Sequence, residues 1–142
     1  MMGWVPDSES SRPKRQPGAT KRPLLPATSA SAAVDQYCMG NVHEAPVYFV
    51  TEGCFIPDGD LITAKDLHSD GLRSVTEWET DYGRADECHN AYGEGWTVTC
   101  NYDMRETERV RLRSCTRNGA NAPNTKCTVW SPWLSISTGN PA

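Results

Sequence analysis

Six cysteines, Cys38, Cys54, Cys88, Cys100, Cys115 and Cys127, constrain this chain more than any other feature of it. An even count in a short, loop-rich region reads as a disulfide framework, which forms and persists in an oxidising compartment. Metal binding is the competing use of cysteine. No CxxC occurs, however, and His43, His68 and His89 form no HxxxH-type pair, so the close ligand spacing of a zinc site is missing. No metal and no cofactor are expected. Of the connectivities open to six cysteines, the sequential set Cys38–Cys54, Cys88–Cys100, Cys115–Cys127 is preferred. Cys88 and Cys100 bracket HNAYGEGWTVT, Cys115 and Cys127 bracket TRNGANAPNTK, and each eleven-residue interval holds the turn residues needed to fold back. Closing a loop of that size contributes on the order of 2–3 kcal/mol through the unfolded state.

All six cysteines lie after residue 37, and the chain before them has another composition. Residues 1–26 carry prolines at 6, 13, 17, 23 and 26 and the cluster RPKRQPGATKRP, with no apolar period, so residues 1–33 are expected to form a disordered tail and 34–142 the folded domain. Ala30-Ser31-Ala32 offers the small residues a signal peptidase accepts, which would leave Ala33 as the new N-terminus. The apolar segment that should precede it is reduced to Leu24-Leu25 between two prolines. A remnant or misplaced signal peptide is the expectation, with a plain Ala/Ser linker as its competitor. No apolar run in 34–142 is long enough to span a bilayer, so an exported product would be soluble, with no membrane partner.

Apolar periodicity in the body is that of strands. Trp96, Val98, Cys100 and Tyr102 alternate with Thr97, Thr99 and Asn101, and Val110 and Leu112 alternate with Arg109, Arg111 and Arg113. Pro46–Thr51, Leu61–Thr63 and Arg73–Thr80 are further runs of β-forming residues. Gly53, Pro57-Asp58-Gly59-Asp60, Ser69-Asp70-Gly71, Tyr82-Gly83, Gly93-Glu94-Gly95 and Asn118-Gly119 punctuate them. Short strands at that spacing describe an all-β fold, a small disulfide-stapled β-sandwich or barrel. About a third of the 109 residues in 34–142 are apolar, so the core is modest and the staples matter. The order CFIPDGDLI, DGLRSVTEW, YGR, NAYGEGWTVTCNYD and RVRLRSC, over Cys54 to Cys115, resembles that of small secreted, disulfide-containing proteins of Streptomyces-type actinobacteria. The resemblance implies a small β fold and export by a signal peptide, and brings no assigned activity.

Charge narrows the partners. Five of the 14 basic residues but only two of the 18 acidic ones precede residue 33, which leaves the body with nine against sixteen, a net charge of −7. A body that acidic repels phosphate backbones, so no nucleic acid is expected.

Three constellations could carry chemistry. Arg109, Arg111 and Arg113 share one strand face, and Trp130 and Trp133 follow in WSPW. If the two segments pair, guanidinium planes and indole rings become neighbours and stack as cation–π pairs. The pattern resembles the tryptophan–arginine ladders of cytokine-receptor fibronectin modules and thrombospondin repeats. Leu134 stands where WSxWS has its last serine, which makes this convergence rather than kinship. The expectation is a structural clasp, in which Trp133, on the parity of Cys127, is the first stacking choice; an exposed binding platform is the alternative. Asp66, Asp70, Gly71 and Glu77 fall at EF-hand loop positions, but His68 is a poor ligand for a hard cation and no helix precedes, so a β-turn is expected. Glu77, Glu79 and Asp81 share a strand face opposite Trp78; they are either a glycosidase-like carboxylate set or counterions to the arginines.

A secreted, monomeric, non-enzymatic β domain that binds an extracellular protein or surface glycan follows, with Trp130, Trp133, Trp78 and Trp96 as candidate contacts. A small hydrolase using Glu77, Glu79 or Asp81 is the first alternative. A protease inhibitor presenting Thr116–Lys126 is the second.

Overall fold

The structure is a computed structural model and describes residues 32–142, which form one compact unit. The expected tail and signal-peptide remnant lie, up to Ser31, outside the described residues. The packed unit begins slightly earlier than the expected boundary, because the Ala32 carbonyl accepts from Asn140 Nδ2 and the Val34 N–H donates to Thr138 O.

Nine strands form, and among the described residues there is no helix. They are β1 (Tyr37–Glu44), β2 (Val47–Ile56), β3 (Leu61–Asp66), β4 (Arg73–Thr80), β5 (Ala85–Asn90), β6 (Thr97–Asn101), β7 (Arg109–Arg117), β8 (Asn124–Thr125) and β9 (Leu134–Ser135). One antiparallel sheet has the order β1-β2-β3-β6; the other has the order β5-β4-β7-β8, and β9 also pairs with β7. The β fold expected from period-two patterning is therefore present as two sheets packed face to face.

Alternation decides which side chains fill the space between them. Phe55, Ile62 and Ala64 from the first sheet meet Trp78, Cys88, Val110 and Leu112 from the second, and Met104, Leu134 and Ile136 close the cluster. Trp78, proposed as a surface contact, is the largest of these side chains and is fully buried. Toward the other end the interior is lined by hydroxyls. Thr51 Oγ1 and Ser114 Oγ lie 2.6 Å apart, and Thr76 Oγ1 donates to Thr63 O at 2.7 Å, so each sheet answers the polar groups of the other.

The three disulfides pair sequentially, but not all as hairpin staples. Cys38 and Cys54 stand directly opposite on β1 and β2, and Cys115–Cys127 closes the β7–β8 hairpin. Cys88–Cys100 does something else: β5 and β6 belong to different sheets, so this bond ties one layer to the other. The hairpin expected over that interval is a crossover. The loop between these strands, AYGEGW, carries the chain from one layer to the other.

The layers approach closely at Gly53. A Cβ there would meet the side chain of the fully buried Thr76, with Cγ2 only 2.7 Å away. Gly53→Ala should therefore cost about 1–3 kcal/mol by overpacking, read as a lower urea midpoint with an unchanged slope.

Candidate functional site

The strand β7 carries the ladder anticipated from the sequence. Arg109, Arg111 and Arg113 project from one face, and residues two apart on a strand are about 7 Å apart, a gap that one aromatic ring fills with van der Waals contact on both sides. Trp130 lies between Arg113 and Arg111, its ring centroid 4.6 and 4.9 Å from their guanidinium carbons. Trp133 lies between Arg111 and Arg109, at 4.6 and 6.0 Å. The order is thus Arg113, Trp130, Arg111, Trp133, Arg109, and both tryptophans are half-buried.

Carboxylates complete each rung. Glu77 and Glu79 on β4 stand opposite Arg113 and Arg111 in the strand register. Arg113 reaches Glu77 at 2.8 Å, Arg111 Nε donates to Glu79 at 2.8 Å, and Arg109 Nε donates to Asp81 at 2.9 Å. Glu87 and Glu77 are opposed like charges across β5 and β4, a pairing that destabilises unless bridged. Arg117 binds Glu87, and the Asn124 amide donates to both glutamates. The carboxylate face considered for hydrolysis is therefore the counterion row of the arginines. The Arg109 backbone N–H, together with its guanidinium, holds the Asp81 carboxyl below its ordinary range.

The WSPW segment differs from the expectation. Strand parity places Trp130 and Trp133 on opposite faces, yet both enter the ladder, because residues 126–133 are not a strand. They run beside β7 with a period of three. The Thr128 N–H donates to Ser114 O while the Thr128 hydroxyl accepts from the Ser114 N–H; Ser131 repeats both bonds with Leu112. Side chains three apart return to one side, as in a polyproline-type helix. Two triplets result, Thr128-Val129-Trp130 and Ser131-Pro132-Trp133, each a hydroxyl on the strand backbone, an exposed residue and a ring on the arginines. Leu134, at the final serine position of WSxWS, instead starts β9 and pairs with Val110.

The remaining candidates separate. Asp66 is buried at the end of β3, whereas Glu77 is bound to Arg113 on β4, so the residues at EF-hand positions do not converge. Within the interval Thr116–Lys126, Arg117 is tied to Glu87 and Asn124 while Asn118, Ala120 and Asn121 are exposed. Among the described residues, the two places where three His, Cys, Asp or Glu ligand atoms converge both contain a disulfide, which supplies no thiolate.

A second aromatic group was only partly legible. Trp96 does not sit within the alternating strand but just before it, in the turn made by Gly93 and Gly95 with φ of 101° and 86°, and it is 61% exposed. Tyr92, 73% exposed, lies 5.8 Å from it between ring centroids. This loop is fixed from beneath by the fully buried Asn90, whose amide donates to Ala64 O at 3.0 Å and Trp96 O at 2.7 Å and whose carbonyl accepts from the Tyr92 N–H. At the same end of the first sheet, beyond the Leu67–Val50 and Asp66–Trp96 backbone bonds, Phe49 and Val47 are exposed and Tyr48 is sandwiched by His43 and His68. Three loops distant in sequence build this end. Only Trp96 announced it from sequence; the Gly-x-Gly ahead of it was the signal that it belongs to a turn.

No family model matches the chain, and no curated protein and no solved structure matches it. The geometry is what bears on its function.

Replacing Trp133 by Ala should lower stability by about 1–3 kcal/mol, through lost aromatic packing and two cation–π contacts, read as a shifted denaturation midpoint. Because the Asp81 carboxyl is depressed, its contribution is present above about pH 4, the unfolded value, and disappears as pH falls through the folded one. The stability gap between wild type and Asp81→Asn should accordingly close below about pH 4 in thermal melts taken as a function of pH.

Proposed function

We propose that this chain is an exported, non-enzymatic β domain that binds a ligand outside the cell through the aromatic end around Tyr92 and Trp96. The observation that carries the reading is the rigid exposure of those two rings. A tryptophan that is mostly in water is a liability in a protein with so few core residues, and this one is held out by a buried, fully hydrogen-bonded asparagine. Tyrosine and tryptophan faces offer large contact area at little entropic cost when their backbone is fixed.

A surface glycan is the ligand class this end fits best. Sugar rings present flat C–H faces to aromatic rings and hydroxyls to polar neighbours, and here Glu94, Thr97 and Thr99 are exposed beside Trp96. An extracellular protein is the other class. Export is supported by three disulfides, which call for an oxidising compartment, and by the resemblance of residues 54–115 to small secreted actinobacterial proteins. No helix among the described residues is long and apolar enough to cross a membrane. Against hydrolysis stands the pairing of Glu77, Glu79 and Asp81 with arginines, which leaves each carboxylate engaged rather than free to act as acid or base.

Immobilised glycans and the insoluble polysaccharides cellulose and chitin provide the test. Trp96→Ala should weaken retention at least tenfold, an energy of about 1.4 kcal/mol, while leaving the denaturation midpoint unchanged. Trp133→Ala, compared at equal folded fraction, should bind as wild type does. The opposite pattern would make the ladder the platform and overturn the assignment. Wild type that is retained by none of these glycans excludes the glycan form of the reading.

A further inference from the structure

At the other end of β2 and β3 lies an open cleft of about 850 Å³ whose charged lining is acidic throughout: Asp35, Asp58, Asp60, Asp103 and Glu106. Among the described residues, no Lys, Arg or His lines it. Arg84, which reaches this region, donates to the backbone carbonyl of Asp103 rather than to a carboxylate. Like charges gathered in this way repel unless something positive is placed among them.

Asp60 shows where that charge belongs. It occupies the left-handed region, φ 55°, at the end of the Pro57-Asp58-Gly59-Asp60 turn, and its backbone carbonyl accepts from the Tyr102 N–H. Its Oδ2 accepts from the Met104 N–H at 3.0 Å, which fixes the carboxylate. The residue is only 6% exposed, and its Oδ1 is buried with no hydrogen-bond partner. A buried carboxylate oxygen left without a donor is costly, so native proteins rarely leave one. Asp60 lines the acidic cleft, and the Met104 bond to Oδ2 leaves Oδ1 as its unpartnered oxygen.

We infer that this cleft is a hard divalent cation site of the calcium class, with the Asp60 and Glu106 carboxylates as its protein ligands and Asp58 and Asp103 adding charge around it. Oxygen-only donors and an open mouth suit an ion that takes six to eight oxygens, several of them water. Two direct carboxylates place the affinity in the weak, extracellular range, with Kd about 0.1–1 mM. The site uses nothing of the aromatic end and stands or falls separately from it. The Glu106 side chain lies within hydrogen-bonding reach of the Asp60 carboxylate, so a single ion can bridge the two. A proton shared between Asp60 and Glu106 is the competing way to relieve the same repulsion.

Terbium luminescence separates the two, because Tyr102 lines the cleft and can sensitise a bound lanthanide. Wild-type protein at pH 7.5 should give tyrosine-excited terbium emission that millimolar calcium displaces. Calcium at 10 mM should also raise the melting temperature by a few degrees over EDTA at matched ionic strength, as expected for a ligand at ten to a hundred times its Kd. Glu106→Gln, a change at an exposed position, should lose both effects with a melting temperature in EDTA no lower than that of wild type, and Asp60→Asn should lose them as well. The inference is overturned if calcium shifts neither signal, or if the shift survives in both variants. Stabilisation of wild type by lowering the pH toward 5, with no terbium bound at pH 7.5, would overturn it in favour of the shared proton.

Discussion

Three arginines on one face of a central strand would push that strand out of any sheet, so the second layer depends on how their charge is met. β7 pairs with β4, β8 and β9, and its inner face supplies Val110 and Leu112 to the core. The outer face of the same strand is neutralised by carboxylates from β4 on one side and separated by indoles from the C-terminal segment on the other. Neither suffices alone. Exposed ion pairs contribute at most about 1 kcal/mol each, and a tryptophan between arginines needs their planes held parallel. Carboxylates orient the guanidinium groups, and oriented guanidinium groups accept the rings.

A small core explains why so much of the stabilisation is placed at the periphery. Among the described residues fourteen hydrophobic ones are buried, two of the largest being Trp78 and Phe55, and part of the space between the sheets is filled by hydroxyls. Apart from Ser74 Oγ, those hydroxyls bond to one another or to the backbone, and they gain less from burial than methylenes would. The inter-sheet Cys88–Cys100 bond offsets this by limiting how far the layers can separate in the unfolded chain.

Much of this architecture is readable in the residues, and the failures have physical causes. β4 and β7 announce themselves because their alternation of branched or aromatic with charged residues is strict. β1 and β5 do not: YCMGNVHE is interrupted by Gly40 and by a bulge at Asn41/Val42, and ADECHN is an edge strand with little to bury. The stacking partners in the ladder were legible because charge repulsion demands an aromatic supply and WSPW is the nearest. Their facing was not, since a parity argument assumes a strand. Trp78 was misplaced among the contacts because a tryptophan between two glutamates reads equally well as a surface or a core residue until the sheet it faces is known. The acidic cleft draws on three separate segments, around residues 35, 58–60 and 101–106, and nothing short of the fold assembles it.

The triplet step of residues 128–133 sets how this part of the chain can change over evolution. Each triplet advances the segment by one rung, from Ser114 to Leu112, and Leu134 then meets Val110. Insertion or deletion of one or two residues between Thr128 and Leu134 would turn hydroxyls toward the arginines and rings toward the strand backbone. A change of three would keep the phase and alter only the number of rungs. The outward positions, Val129 and Pro132, contribute neither a hydroxyl nor a ring, so drift should accumulate there first. Related chains should therefore differ in ladder length by whole triplets, matched by two-residue changes in the arginine strand.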